Sequence, residues 1–499
     1  MTTNKVLLII MDGWGYREEK KGNAIALAKK PTFDALWKNY PHAIVPASGL
    51  DVGLPAGQMG TSEVNHMVIG SGRIIYQDLV KINKAIRDKS FFENKAFLAA
   101  MNHVKKNGST LHLQGLIGPG GVHSYQTHMY ALLEMAKQQG ITNVVVHAFM
   151  DGRDTSPTGG KQYLQELEDK IKEIGVGRVA SIIGRYYAMD RDTNWDRIEI
   201  AWNALAQGVG TQFKTVPEAM EFKYKENETD EFIKPCIIGE PATYKENDAI
   251  IFVNFRTDRA VELTKKTLDA NIPNLLFVAM TQYRAEFACP IAFPPEDVHN
   301  TLGEVLGANK VRELRITETE KFNHLTYFFN CKKLDAYEGE DRILLDSYSD
   351  IKTHDLRPEM RTPDIARDIL EDIEGEKHQF IATNMCNADM VGHTGNMEAT
   401  EKGIEAIDTA LSTLIPRALE HGYSVIVTAD HGNADEMINS KTGEMITSHS
   451  TNPVPLILVS NTYKTITRSE ISLADIAPTI LQIFGIEKPN EMTGTSFIS

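Results

Sequence analysis

Short, continuous apolar runs recur along the chain, each followed by a stretch with helical spacing. Val6–Ile10, Val144–Val146, Val179–Ile183, Ile250–Phe255, Val425–Val427 and Leu456–Val459 do not alternate with polar residues, so they read as strands buried on both faces. Leu164, Leu167, Ile171 and Ile174 lie on one face of a helix that Gly175 ends. Buried strands alternating with amphipathic helices predict an α/β fold with mostly parallel sheets. At 499 residues the chain exceeds what one core usually holds, so two domains are expected. Phe293-Pro294-Pro295-Glu296-Asp297 is the clearer crossing between them, because paired prolines favour an extended, stiff chain; Tyr76–Leu79 is a weaker one. The highly charged stretch Glu218–Lys234 is expected to be a solvated excursion.

In open α/β sheets, ligands gather at the carboxyl ends of the strands. Here that rule sorts the polar residues into two kinds. The Val6–Ile10 run leads to Asp12, Phe380–Met385 to Asp389 and His393, and Val425–Val427 to Asp430 and His431. His449 lies just ahead of Leu456–Val459. The central runs end differently. Val144–Val146 leads to Asp151, Arg153 and Asp154, Val179–Ile183 to Arg185 and Arg191, and Ile250–Phe255 to Arg256 and Arg259. Carboxylates with imidazoles are ligands for cations; guanidinium forks recognise phosphate or carboxylate. The two ends of the chain therefore carry cation ligands, and the middle carries anion ligands.

Composition narrows the setting. A formal net charge of -15 argues against a general nucleic-acid binder. Cys236, Cys289, Cys331 and Cys386 are scattered, without a C-x-x-C pair, so neither a disulfide framework nor a structural zinc site is expected. No apolar stretch reaches membrane-spanning length and Val6–Met11 is too short for a signal segment, so a cytoplasmic protein with no membrane partner is expected.

Each chemical motif is weak alone. Asp389 with His393, or the pair Asp430-His431, is more often structural than metal-binding, and Asp12 can simply cap a turn. Three such pieces at strand ends, followed by His449, point jointly to a divalent-cation site, and their number suggests two ions. The glycine-rich entry Gly57-Gln58-Met59-Gly60-Thr61-Ser62 precedes a predicted helix. Thr61 or Ser62 as an N-cap is the commoner outcome there; a Ser62 oxygen next to a cation would instead be a nucleophile.

These residues carry a resemblance that runs practically end to end. Met11-Asp12-Gly13-Trp14-Gly15, Gly57–Gly60, Gly120–Ser124, His147–Thr155, Gly184–Asp192, Asn254–Ala260, Glu318–Lys321, Asp389–Gly395, Ala429–Asn433, Thr451–Pro455 and Met492–Ser496 resemble the blocks of the cofactor-independent phosphoglycerate mutases, members of the alkaline phosphatase superfamily. The resemblance implies a phosphatase-like domain split into residues 1–77 and 298–499, with a substrate-binding α/β domain, 78–297, inserted. It implies two manganese-class ions (magnesium, cobalt or zinc being the alternatives), one on Asp389, His393 and His449, the other on Asp12, Asp430, His431 and the Ser62 oxygen. Substrate contacts would be His123, Arg153, Asp154, Arg185, Arg191, Arg256 and Arg259, with Lys321 at the transferring phosphoryl group.

The implied reaction is an isomerisation of glycolysis and gluconeogenesis that interconverts 3-phosphoglycerate and 2-phosphoglycerate through a phosphoserine at Ser62, without 2,3-bisphosphoglycerate, in a monomer. Asp154 is the implied proton acceptor. Such a reaction would open and close the site in each turnover, with the two crossings as hinges. Thr61, Asn65, Gly118-Pro119 and Thr257 depart from the family pattern, which bears on local loop conformation and metal preference. Competing readings are another enzyme of the superfamily, such as a phosphopentomutase, a phosphonate hydrolase or a simple phosphatase, and a sensor of phosphorylated metabolites.

Overall fold

The computed structural model describes residues 4–499, which divide into two compact units, residues 4–77 with 297–499, and 78–296. Each unit is built on a seven-stranded sheet. In the first, the strand order is Glu340–Leu345, Glu313–Glu318, Phe380–Met385, Lys5–Met11, Tyr423–Thr428, Val454–Val459, His42–Val45. The first five strands are parallel, and the last two add antiparallel. The apolar runs sit at the centre because every residue of Lys5–Met11, Phe380–Met385 and Tyr423–Thr428 is buried. Met11 pairs with Met385 and Ile10 with Thr428, so the residues that follow all three strands emerge at one carboxyl edge.

The second unit has the order Thr211–Phe213, Cys236–Ile238, Val179–Gly184, Val144–Met150, Leu111–Ile117, Ala249–Phe252, Leu276–Ala279, parallel except where Cys236–Ile238 meets Val179–Gly184. Ile117, Met150 and Gly184 are level in the register, which puts Asp151 and Arg185 side by side. The predicted strand Ile250–Phe255 stops at Phe252. There the Leu116 N–H donates to the side-chain Oδ1 of Asn254 (2.9 Å), so a side chain takes the place of the next ladder bond.

Glu218–Lys234 is not a solvated excursion. Most of it belongs to the helix Val216–Lys225, capped by Thr215, and to a tight turn Asp230–Phe232; Ala219, Met220, Lys223 and Asp230 are buried. Apart from Lys223, the charges of this helix lie on its outer face, a pattern that composition alone does not separate from a loop. Among the described residues no helix is long and apolar enough to cross a membrane.

Two buried polar networks brace the sheets. In the second unit, Asp248 Oδ2, His112 and His147 lead to Ser181 Oγ through bonds of 3.1, 2.9 and 2.8 Å. Burial pushes both imidazoles down, so both are neutral. Three protons running from Ser181 toward Asp248 then satisfy every atom of the chain. In the first unit, His378 lies between Asp372 (2.6 Å) and Asp341 (2.9 Å). Burial lowers its pKa, but the bonds to Asp372 and then Asp341 outweigh that and raise it. A raised histidine adds stability that is complete below the unfolded value of about 6.5 and is lost as pH rises through the folded value. Because Asp341 is exposed, the gain is about 1 kcal/mol. His378→Gln is therefore expected to be less stable than wild type at pH 6, with the gap shrinking toward pH 9; parallel urea midpoints at the two pH values would remove the ion pair from this account.

Candidate phosphoryl-transfer and anion-binding sites

Thr61, in extended conformation, is the cap of the helix Ser62–Ser71: its side chain accepts from the Val64 N–H. That leaves the Ser62 hydroxyl, buried at the first helical position, free of capping duty. Lys321 Nζ lies 2.8 Å and His431 Nε2 2.9 Å from Ser62 Oγ. The same ammonium donates to Asp12 Oδ1 (2.9 Å) and Asp389 Oδ2 (2.8 Å). Burial would lower the Lys321 pKa, but Asp12, Asp389 and Asp430 together raise it well above the ordinary value. Asp12 is pushed up by burial and by Asp430. Asp389 is pulled well down because Lys321 and its imidazole neighbours outweigh burial.

Two groups of side chains are spaced to hold a metal ion, Asp389 with His393 and His449, and Asp12 with Asp430 and His431. In the first, His393 Nε2 and His449 Nε2 are 3.2 Å apart and face Asp389 Oδ1 at 3.2 and 3.3 Å. The outer nitrogens are held by backbone carbonyls, His393 Nδ1 at Thr447 (2.6 Å) and His449 Nδ1 at Gly60 (2.8 Å). Each Nε2 is thereby presented as a lone-pair donor, the usual outer support of a ligating histidine. In the second group, His431 Nε2 is 3.5 Å from both Asp12 Oδ1 and Asp430 Oδ2. Asp430 Oδ2 is buried with no hydrogen-bond partner, as expected of an oxygen meant for a cation. Mixed carboxylate and imidazole donors suit manganese, cobalt or zinc. The residues present thus fit the ions that the resemblance implies.

The residues around this site include some not foreseen. Asn384 donates to Asp12 Oδ2 (2.7 Å), and Asn433 to Asp389 Oδ1 (3.0 Å). His66, kept neutral by burial at a pKa of about 3, bonds the Ser62 carbonyl (2.9 Å). Asn384 was detectable as a polar residue inside a buried strand. Asn65, where the family usually has glycine, is buried and donates to the carbonyls of Ala47 (2.9 Å) and Asp430 (2.6 Å). This departure therefore ties the Ser62 helix to the Asp430 turn.

In the second unit, the buried Arg185 donates through Nη1 to Asp151 Oδ1 and Asp154 Oδ2, both at 2.6 Å. Its Nη2 donates to His123 Nε2 at 3.0 Å. Burial and Arg185 push the His123 pKa to about 4, so the ring is neutral and its proton sits on Nδ1. That buried Nδ1 has no hydrogen-bond partner; it is 3.6 Å from Asp258 Oδ1. Burial raises the Asp154 pKa, but the bond from Arg185 lowers it further, so Asp154 is ionised.

Asp258 gathers two of the remaining cations, Arg191 at 2.6 Å and Arg256 at 3.2 Å. It was passed over in the sequence although it lies between Arg256 and Arg259. Arg259 donates to the Met189 carbonyl (3.0 Å). Arg153 is 3.8 Å from Glu231, and the side chains of Arg153, Arg191 and Arg256 remain about half exposed, at 54, 43 and 49%. All seven candidate substrate contacts, His123 to Arg259, lie in this unit, but only His123, Asp154 and Arg185 touch one another directly.

Known proteins bear on both units. A family profile described as BPG-independent PGAM N-terminus matches residues 82–285, and one described as Type I phosphodiesterase / nucleotide pyrophosphatase matches residues 262–468. The 2,3-bisphosphoglycerate-independent phosphoglycerate mutase of Acetivibrio thermocellus is 49% identical over 512 residues, covering 100% of both chains. That of Clostridium botulinum (strain Langeland) is 46% identical over 510 residues, again covering 100% of both. The crystal structure of Leishmania mexicana phosphoglycerate mutase at low cobalt concentration matches with a TM-score of 0.55 and 29% identity, covering 100% of this chain and 98% of that one. Full-length identity at this level is decisive, and the chain belongs to the 2,3-bisphosphoglycerate-independent phosphoglycerate mutases.

Proposed function

We propose that the protein interconverts 3-phosphoglycerate and 2-phosphoglycerate through a phosphoserine at Ser62, without 2,3-bisphosphoglycerate, using two divalent cations, manganese foremost. The observation that carries this reading is Ser62 Oγ, free of capping duty and 2.8 Å from a buried ammonium that also touches both cation-ligand groups. One ion would rest on Asp389, His393 and His449, the other on Asp12, Asp430, His431 and Ser62. When bound, the ions supply positive charge beside Ser62 Oγ and the phosphoryl oxygens.

Ser62 Oγ attacks phosphorus, the phosphorus–oxygen bond of the substrate breaks, and the departing glycerate oxygen takes up the proton that the serine sheds. Lys321 balances charge on the phosphoryl oxygens, where catalysis of such transfers chiefly resides. Arg153, Arg185, Arg191, Arg256 and Arg259 hold the glycerate carboxylate and the phosphate, and the neutral His123 offers its unpartnered Nδ1–H to the same anion. The other glycerate hydroxyl then attacks the phosphoserine and passes its proton to the ionised Asp154, while the bond from Ser62 Oγ to phosphorus breaks; return of that proton to Ser62 Oγ through solvent restores both groups for the next turnover. Retaining glycerate is essential, because water in its place would make the enzyme a phosphatase. A monomer in the cytoplasm is the proposed working form.

Purified protein freed of 2,3-bisphosphoglycerate and supplied with manganese should convert 3-phosphoglycerate at about 10 s⁻¹ or faster, with almost no free phosphate. Free phosphate as the main product would assign a phosphatase instead.

A further inference from the structure

The loop that carries Arg153 and Asp154 is anchored by a segment to which no role has been given. The helix Gly160–Ile174 follows that loop and starts at Gly159 with no side-chain cap of its own. The cap comes from 70 residues further along: Asp230 Oδ2 accepts from the Gly160 N–H at 2.7 Å. Asp230 Oδ1 accepts from the Tyr224 hydroxyl at 2.6 Å, and the Asp230 N–H donates to the Pro157 carbonyl at 2.9 Å. The loop is thus fastened at Pro157 and Gly160, and Asp151 fastens its other end by accepting from the N–H groups of Arg153 (3.2 Å) and Asp154 (3.0 Å).

The same turn sets the spacing of two candidate anion ligands. Gly152 directly precedes Arg153, and a Cβ there would lie 2.7 Å from the Glu231 nitrogen and 2.9 Å from Asp230 Cβ. Gly184 directly precedes Arg185, and a Cβ there would lie 2.4 Å from the Glu231 carbonyl oxygen. The Gly184 N–H donates to the Ile233 carbonyl at 2.8 Å. Residues 230–233 therefore fill the space between the backbones that deliver Arg153 and Arg185, at a closeness only glycine permits.

We infer that Asp230 is a positioning residue for phosphoglycerate binding: by capping Gly160 and tying down Pro157, it holds the Arg153–Asp154 loop in register with Arg185. An ionised carboxylate buried here is costly. Burial raises its pKa to about 6, and nearby Asp151 adds to the rise, while the Tyr224 hydroxyl and the Gly160 N–H oppose it. A group that served packing alone would be replaced by an apolar side chain at less cost.

This inference rests on the mutase reading, and the test separates the two. Small displacements of ligand groups cost heavily, so Asp230→Ala is expected to raise the KM for 3-phosphoglycerate about tenfold with a smaller effect on kcat. Asp230→Asn, which keeps a carbonyl oxygen for the Gly160 N–H, should restore KM to within about threefold of wild type. Tyr224→Phe, a milder change if Asp230→Ala does not fold, should raise KM in the same direction. Leu167→Ala removes a buried side chain from the same helix and should lower the melting temperature while leaving KM unchanged. An unchanged KM in Asp230→Ala or Tyr224→Phe, or an equal rise in Leu167→Ala, would overturn the positioning role. Absence of mutase activity in the wild type would overturn the reading beneath it.

Discussion

Ser62→Ala is expected to leave a folded protein whose mutase activity has fallen by at least about 10⁴-fold, the scale on which a covalent nucleophile acts. The serine hydroxyl makes no cap bond, since Thr61 serves the helix, so its loss removes no part of the backbone ladder. It does leave Lys321 Nζ and His431 Nε2 with one partner fewer. Lys321 still donates to Asp12 and Asp389, so the charge stays compensated and the melting temperature should move by only a few degrees. In the same preparations, wild type quenched in acid during turnover should carry phosphate on the peptide containing Ser62, and the variant should carry none. A variant that retains turnover would remove the phosphoserine from the mechanism, whatever its stability. Thr61→Ala gives the contrasting case, because it should destabilise by about 1 kcal/mol through loss of the cap and leave the nucleophile in place.

The parts of the fold legible in the sequence were those in which one signal dominates. Val6–Ile10 and Val425–Val427, the apolar centres of Lys5–Met11 and Tyr423–Thr428, are buried on both faces, so apolar content alone located them. The sorting of cation and anion ligands was legible from the same runs, since most of the ligands follow one; His449 precedes one. Helix Val216–Lys225 was not, because the charge that solvates its outer face also marks a loop. The end of the Ala249–Phe252 strand was set by a side chain, Asn254, taking a backbone position, and no periodicity encodes that. Within the sites, residues that bear chemistry were visible and residues that hold them were not. Asp258 draws two arginines together and Asp230 caps a helix far off in sequence. Each is an ordinary surface residue type whose role exists only once the chain has folded. The choice between Thr61 and Ser62 as cap likewise needed the backbone, since either can serve until one is seen in extended conformation.

Removing divalent cations with a chelator should lower turnover by about 10³-fold or more, the loss expected when charge stabilisation at a transferring group is withdrawn, and it should also reverse how stability depends on pH. Without a cation, Asp389 Oδ1 faces His393 Nε2 and His449 Nε2 at 3.2 and 3.3 Å. Burial lowers the pKa of His449, but the bond and charge of Asp389 outweigh it and carry the value to about 9. His393 is raised by the same carboxylate against burial. At neutral pH, protons therefore occupy the positions that a cation needs. Raised histidines stabilise fully below the unfolded value of about 6.5, and that gain is lost as pH rises through about 9. Chelated protein should accordingly lose on the order of 1–2 kcal/mol between pH 7 and pH 9.5. With saturating manganese the sign turns, because binding releases protons and tightens as pH rises, so stability should climb until the imidazoles are fully deprotonated. Activity at limiting manganese should fall as pH drops below about 9, the value His449 carries without a cation, and excess manganese should restore part of it. Melting temperatures measured from pH 6 to 9.5 in chelator and in manganese chloride test this directly, with Asp389→Asn as the variant in which the difference between the two slopes should disappear. Parallel slopes in the two buffers, or an acid limb that manganese does not move, would mean that protons and cations do not compete at Asp389, His393 and His449.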